Sequence, residues 1–245
     1  MPKLVHAALL VASMAAAGCE RSAAPVALVE TRRIVLKQSD TSLISDPSLS
    51  IANDGRLVAT DMQEMRVRIY APDGSLLKQF GREGEGPGEF TAPIGAVLQG
   101  GVVWVLDVQR GLSSWDPESG RMLTSIPSPY PLSVSMDALT DTLLVVGGIV
   151  PPASPWTVVS VVDAKSGEVV SSFLDRTVDE SQRGLAMTMT SVPFAIGSGP
   201  VLAGMHSWSD TLRIFDLPSG RQLHQLAVPI PGFTYEGTVP SPETL

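Results

Sequence analysis

The sequence predicts an all-β fold built from repeated four-stranded units. A pattern of apolar strand, Asp- and Gly-containing turn and second apolar strand recurs four times, with turn glycines Gly74, Gly120, Gly167 and Gly220 about 47 residues apart. The segments around these turns alternate apolar and polar residues, as half-buried strands do. The chain has 22 Gly and 20 Pro, which indicates many turns. Sustained 3.6-residue periodicity, typical of helices, is not found.

Each recurring pattern is predicted to be a β-hairpin. In the first, Pro72-Asp73-Gly74 separates two apolar runs, and in the second, Asp116 precedes Gly120 in the same arrangement. Asp and Pro favour the start of a turn, and Gly supplies the positive φ that turns require. Two more strands are expected before each hairpin: Ser48–Ala52 and Leu57–Asp61, Ile94–Leu98 and Val102–Asp107, Leu132–Met136 and Leu143–Gly147, and Ser191–Ile196 and Val201–Gly204.

Four strands in about 47 residues is the plan of a β-propeller blade. The sequence therefore predicts a β-propeller of four-stranded blades over residues 31–245. This stretch holds about four to five such units, whereas six blades need about 270 residues. We expect a clipped six-bladed propeller; the alternative is a smaller ring of four or five blades. Thr31–Lys37 is expected to be an extra strand that completes the last blade and closes the ring.

The first unit carries a family resemblance. Leu57–Asp61, Arg66 and the Asp73-Gly74 turn resemble the NHL-type repeat, in which an apolar strand ends in Asp and an Arg follows five residues later. The next segment, 80–90, contains Gly84, Gly86 and Gly88 and resembles the inter-blade signature of bacterial six-bladed β-propeller proteins, many of them predicted lipoproteins. The resemblance implies a structural role for Asp61, Arg66 and the three glycines. It fades later in the chain, where Gly147 and Gly204 replace the strand-ending Asp.

The N-terminus is predicted to be a lipoprotein signal peptide over residues 1–18. Lys3 precedes an apolar stretch, Leu4–Ala17, which is shorter than the ~20 residues of a membrane-spanning helix. Ala16-Ala17-Gly18-Cys19 resembles the bacterial lipoprotein box, whose cysteine is lipidated and becomes N-terminal. Cys19 is the only cysteine, so an intramolecular disulfide is excluded. Residues 19–30 are expected to be a tether, and the protein to be an envelope lipoprotein at the outer membrane or periplasmic side.

Composition limits the functions that the domain performs. The formal charge of −8 without a basic cluster excludes nucleic acid as a partner. No catalytic residue, metal site or cofactor is predicted: once the predicted signal peptide and its His6 are removed, two His and one lipidated Cys do not supply the ligands of a His/Cys zinc site, and no Gly-x-Ser-x-Gly motif is present. The glycines at 84, 86 and 88 do not match a dinucleotide loop, because the spacing differs and glutamates intervene.

We expect a lipid-anchored binding or scaffold module for a protein, peptide or glycan ligand. His206 and Trp208 are the weak candidates for the ligand-binding face. The alternatives are a propeller enzyme of the lyase, lactonase or hydrolase type with a site in the central channel, and a fragment of a longer propeller. A lactonase-type Ca²⁺ site needs Asn among its ligands, and the single Asn53 is predicted in a turn, which weighs against it. Three or more polar side chains at the axis would favour the enzyme.

Overall fold

The protein is an all-β chain of four separate antiparallel sheets, each with four strands. The computed structural model describes residues 30–37, 47–149, 156–176, 193–197, 199–205 and 211–228. Within these ranges there are sixteen strands and no helix. In every sheet the strands follow one another in chain order, so each sheet is a meander, here called a blade. This is the predicted propeller architecture.

The strands of blades 1 and 2 begin and end close to the predicted residues. Blade 1 consists of β1 (Ser48–Ile51), β2 (Leu57–Asp61), β3 (Arg66–Tyr70) and β4 (Leu76–Phe80). Blade 2 consists of β5 (Pro93–Gln99), β6 (Val102–Asp107), β7 (Gly111–Trp115) and β8 (Met122–Ile126). The second strand of each ends in the predicted aspartate. The strand periodicity and the turn residues therefore determine these two blades.

Blades 3 and 4 follow the same plan with more irregular strands. Blade 3 consists of β9 (Leu132–Thr140), β10 (Leu143–Ile149), β11 (Trp156–Asp163) and β12 (Val169–Arg176). Blade 4 consists of β13 (Phe194–Ile196), β14 (Val201–Gly204), β15 (Thr211–Asp216) and β16 (Gln222–Ala227). The predicted end of β9 at Met136 is wrong by four residues, because its ladder with β10 continues past Ala138 through one register shift to Thr140, which pairs with Leu143.

The blades pack face to face through apolar side chains. Val58, Val67 and Phe80 of blade 1 share one core cluster with Val105 and Trp115 of blade 2. A second cluster joins blades 2 and 3, and a third joins blades 3 and 4. The first strands of neighbouring blades also contact each other, as β1 contacts β5 and β5 contacts β9. The first strands are therefore the innermost, and the hairpins of the third and fourth strands lie outside.

The expected strand over Thr31–Lys37 is wrong, because these residues form no strand. One backbone hydrogen bond, from Lys37 N to Gly74 O at 2.9 Å, replaces a ladder. Ile34 and Leu36 instead pack on blade 1 against Leu57, Ala59 and Tyr70. These residues occupy the face opposite the one that meets blade 2. The segment thus covers an apolar sheet face without extending a sheet.

The chain divides into two compact units, residues 1–33 and 34–245. In the first, the described residues are 30–33, where Arg33 and Glu30 form an exposed ion pair with an Nη2–Oε2 distance of 2.8 Å. The predicted signal peptide and most of the predicted tether lie outside the described residues. Among the residues that the structure does describe, no helix is long and apolar enough to cross a membrane.

Candidate functional site

A cavity of about 420 Å³ lies where the four innermost strands end. Its walls come from all four blades, and the residues are Leu49, Ser50, Ile51 and Asn53 of blade 1, Val97, Leu98 and Gln99 of blade 2, Met136, Asp137 and Ala138 of blade 3, and Ile196 and Gly197 of blade 4. The cavity lies beside the turns that lead from the first to the second strand of each blade. Its volume falls in the range of small-molecule sites.

The strands that line the cavity are sheet edges. β1, β5, β9 and β13 each pair with one neighbouring strand within the described residues, namely the second strand of the same blade. Their other edges, with backbone N–H and C=O groups, pair with no strand within the described residues. A sheet edge is able to bind groups that donate or accept hydrogen bonds. The cavity therefore combines backbone polar groups with the side chains above.

Four polar side chains line this cavity, and three have part of their hydrogen-bonding capacity already in use. The Ser50 hydroxyl donates to Ala96 O at 2.6 Å. The Gln99 amide nitrogen donates to the Asp141 carboxylate at 2.9 Å. The Asp137 carboxylate accepts from Ala138 N at 2.8 Å. Asn53, which the sequence placed in a turn, lines the cavity from that turn. The Ser50 hydroxyl hydrogen and one amide hydrogen of Gln99 are thus already used within the protein.

Asp137 is the one ionisable side chain among the described residues that line the cavity. It lies in the middle of β9 opposite Val145 of β10. Val145 belongs to the core cluster between blades 3 and 4, so Asp137 is on that same side of the sheet. Burial raises the pKa of the Asp137 carboxyl, and the hydrogen bond from Ala138 N opposes this only in part. Perturbed carboxyls in cavities are typical of functional sites.

The aspartates that end β2 and β6 serve the hairpin turns and are not in the cavity. Asp61 accepts from the backbone nitrogens of Gln63 and Glu64 at 3.0 and 3.1 Å. It also pairs with Arg68, whose Nη1 is 3.3 Å from Asp61 Oδ2 and whose Nη2 contacts Glu64. Asp61 thus bonds Arg68, whereas the nearby Arg66 has its Nε 4.0 Å from Glu64 Oε2.

The predicted glycine-rich connection between blades 1 and 2 folds around the carboxylate of Glu89. Gly86 N donates to Glu89 Oε2 at 2.7 Å, and Arg82 Nε donates to Oε1 at 2.8 Å. These contacts lower the pKa of Glu89. A Cβ at Gly84, where φ is +145°, would overlap the same carboxylate, whereas Gly88 with φ +87° has open space around it. The loop thus binds its own acidic side chain.

The two ligand-face candidates from the sequence, His206 and Trp208, lie outside the described residues, as does Cys19. In the described part of the chain no group of three or more His, Cys, Asp or Glu side chains is placed to hold a metal. Sequence reasoning missed Asp137 and Gln99. The available signal was position: both lie in the innermost strand of a predicted blade, where side chains near the strand end approach the axis.

The cavity does bring more than three polar side chains together, which the sequence analysis named as the mark of an enzyme. One carboxyl group, two amides and one hydroxyl supply hydrogen bonds and one charge. General acid–base pairs and metal-assisted hydrolysis need further titratable or ligating groups, which the described lining residues do not include.

Solved structures similar to this chain support the fold. A computationally designed protein, Ika8, aligns with TM-score 0.50 and 14% identity over 75% of this chain and 50% of its own. The WD40 β-propeller domain of Doa1 aligns with TM-score 0.52 and 12% identity over 74% of this chain and 53% of its own. A Bacteroides fragilis protein named for its predicted export aligns with TM-score 0.51 and 10% identity over 79% and 74%.

The chain spans about half the length of the first two structures. No protein-family model and no curated protein sequence matches it. At these identities the similarity concerns the fold alone, and the fold is propeller-like. Propellers host many unrelated functions, so function has to be argued from the cavity.

Proposed function

We propose that the protein is a lipid-anchored binding module of the bacterial cell envelope, with its ligand site in the cavity at the axis. The observation that carries the binding role is the convergence of Ser50, Asn53, Gln99 and Asp137, from three blades, in one cavity of ligand size. Rigid strands hold these groups in place, which lowers the entropic cost of binding. From the sequence we expected a protein, peptide or glycan as the ligand. A cavity of this size does not need so large a partner to fill it.

The hydrophobic part of the lining supports the same function. Leu49 and Ile51 of β1 are 52% and 73% exposed although they are large and apolar. Both lie in the cavity wall next to Val97 and Ile196. Exposed apolar side chains that form a concave surface gain free energy when a ligand removes them from water. Polar groups then orient the ligand, as in most small-molecule sites.

Lipid anchoring is the second part of the proposal. It rests on the signal-like segment 1–18 and on Cys19, and it places the module in the cell envelope. The Bacteroides fragilis neighbour, named for predicted export, agrees with passage out of the cytoplasm. We further propose the six-bladed, NHL-like type for the whole ring, with Asp61, Arg66 and the glycines 84, 86 and 88 as structural residues. Metabolic labelling with an alkyne fatty acid tests the anchor: the full chain becomes labelled and Cys19→Ser does not.

The binding role is tested by filling the cavity. Ile51→Trp adds a bulky side chain at an exposed position of the cavity wall, so the fold tolerates it while the cavity shrinks. Leu77→Trp is the matched control, because Leu77 is 54% exposed on β4 of the same blade and is not part of the cavity wall. Saturation-transfer NMR with a fragment library measures binding to the full chain and to both variants.

We expect fragments that bind the full chain and the Leu77→Trp variant and that lose their signal with Ile51→Trp. Hits that bind all three proteins equally would contradict a site in the cavity. Thermal unfolding of both variants checks that each remains folded, so that loss of signal reports on the cavity. The two tryptophans add the same surface, which controls for nonspecific contacts with fragments.

A further inference from the structure

Three side chains of the axial cavity, Ser50, Gln99 and Asp137, offer hydrogen-bond acceptors. Ser50 uses its hydroxyl hydrogen on Ala96 O, which leaves its oxygen to accept. Gln99 uses one amide hydrogen on Asp141, which leaves its second amide hydrogen to donate and its carbonyl oxygen to accept. Asp137 accepts one hydrogen bond, from Ala138 N, among the described residues, and an ionised carboxylate offers about four acceptor positions. A ligand that donates hydrogen bonds satisfies these acceptors, and the Asn53 amide is able both to donate and to accept.

The charge of the cavity has one sign. Asp137 is the single ionisable group among the described lining residues, and Lys and Arg are absent from that lining. Burial disfavours the charged form of this carboxyl. A cation beside it would supply the missing opposite charge and would gain a charge-assisted hydrogen bond. The formal charge of −8 on the whole chain attracts cations further.

The rest of the lining is aliphatic. Leu49, Ile51, Val97, Met136 and Ile196 form the wall together with Leu98 and Ala138. An inorganic cation gains nothing from such a wall, whereas an alkyl chain gains about 0.8 kcal/mol for each buried methylene. The cavity therefore selects for a molecule with a cationic donor group at one end and a hydrocarbon stem.

We infer that the axial cavity binds a small aliphatic organic cation, with the alkylammonium group on the Asp137 carboxylate and the stem against the aliphatic wall of β1 and β5. This inference rests on the proposed binding function and names its ligand class. Gln99 and Ser50 accept further hydrogen bonds from the ligand. Asp137 is the residue that determines specificity for positive charge.

Three probes with the same five-carbon chain test the charge requirement: n-pentylammonium, 1-pentanol and pentanoate. Isothermal titration of the full chain measures their affinities at pH 7. We expect n-pentylammonium to bind at least about tenfold more tightly than 1-pentanol, as one charge-assisted hydrogen bond predicts. Pentanoate is expected to bind most weakly. If the ammonium ion binds no more tightly than the alcohol, the inference is overturned.

Two variants test whether Asp137 is responsible for the preference for the cation. Asp137→Asn keeps the shape of the side chain and removes its charge, and it should weaken n-pentylammonium binding about tenfold or more while leaving 1-pentanol unchanged. Glu118→Gln removes one exposed carboxylate from the outer turn of blade 2 and should leave all affinities within twofold. Asp137→Asn should unfold at a temperature no lower than the parent at pH 7, since it removes a charge that burial disfavours.

The outcomes separate this inference from the proposed function. If 1-pentanol or pentanoate binds and Ile51→Trp abolishes that binding while n-pentylammonium does not bind, the cation class is wrong and the cavity remains the binding site. If Ile51→Trp alters the binding of no fragment, the proposed function itself is wrong. Equal n-pentylammonium affinity for the parent and Asp137→Asn would overturn the role of Asp137.

Discussion

At the end of β6, the Asp107 carboxylate holds the connection into blade 2. It accepts from Thr91 N and Ala92 N at 2.8 and 3.0 Å, from the Thr91 hydroxyl at 2.7 Å and from Gln109 N and Arg110 N at 3.0 and 3.2 Å. At the end of β10 in blade 3 there is no aspartate. Instead, Tyr130 from the connection before β9 packs its ring on Gly148 of β10.

The tyrosine works through packing and hydroxyl groups. Tyr130 is buried in the cluster between blades 2 and 3, and its hydroxyl is 2.7 Å from Ser160 Oγ on β11, which lies 2.8 Å from Ser172 Oγ on β12. Burial raises the pKa of the Tyr130 phenol, so it stays neutral. The joint into blade 2 is therefore held by the Asp107 carboxylate, which accepts hydrogen bonds from backbone amides. The joint into blade 3 is held by the Tyr130 ring, which packs on a glycine. Equivalent positions in a repeat fold need not share chemistry.

Of the substitutions at these two connections, Asp107→Ala is expected to lower the free energy of unfolding most. The substitution leaves the backbone nitrogens of Thr91 and Ala92 without their acceptor inside a joint between blades. We expect a loss of about 3 kcal/mol in the free energy of unfolding, measured by urea denaturation. Asp116→Ala, in an exposed outer turn of the same blade, is the matched control and should cost about 1 kcal/mol or less. Equal losses would contradict a special role for Asp107.

The charge of Asp107 gives this joint a pH dependence that the tyrosine joint lacks. Burial raises the pKa of Asp107, but the hydrogen bonds from Ala92, Thr91 and Gln109 outweigh it, and the pKa is lowered overall. The stabilisation is therefore complete above the unfolded value of about 3.9 and is lost as the pH falls through the lower folded value. Urea denaturation from pH 7 to pH 2 should show that the difference in the free energy of unfolding between the parent and Asp107→Asn narrows at the acidic end. A difference that stays the same at every pH would contradict a stabilising role for the Asp107 charge.

The glycine of the second joint is expected to tolerate no side chain. A Cβ at Gly148 would overlap the ring of Tyr130, so Gly148→Ala has to displace the buried tyrosine. We expect a loss of about 2 kcal/mol, measured by thermal and urea unfolding. Gly95→Ala on β5 is the control, since the nearest atom to its Cβ would be Ser48 Oγ at 3.9 Å. If Gly148→Ala left the free energy of unfolding unchanged, the packing of the Tyr130 ring would not require a glycine at this position.

The smallest effect is expected from the hydroxyl of the tyrosine. Tyr130→Phe keeps the ring on Gly148 and removes the hydrogen bond to Ser160, which should cost about 1 kcal/mol. A double-mutant cycle with Ser160→Ala measures the coupling between the two side chains by urea denaturation. Additive losses would show that packing alone fixes the joint.

Much of the fold followed from the sequence because turns and strand periodicity are local signals. Asp73-Gly74 and the Asp116–Gly120 turn marked hairpins, and β2 and β6 had the predicted bounds. The partner of Asp61 did not follow, since Arg66 and Arg68 are two residues apart and lie on the same face of a strand. The Thr31–Lys37 strand was wrong because its apolar residues pack against a sheet face, a choice that depends on tertiary contacts.

The cavity was harder to predict than the blades. Asp137 stands in an unremarkable run, Ser-Met-Asp-Ala, and acquires its position from four strands that are distant in sequence. Its environment depends on the irregular pairing of β9 with β10, which no local pattern reveals. The joint at Tyr130 was missed for the same reason: the aspartate motif that marked blades 1 and 2 is absent there.

The most direct test of the account is a crystal structure of the full chain with n-pentylammonium, because it shows where the cation binds. The account predicts the ligand in the axial cavity, with its nitrogen within hydrogen-bonding distance of the Asp137 carboxylate and its chain against Ile51 and Val97. An empty axial cavity, or a ligand bound only at the outer surface of the blades, would contradict it.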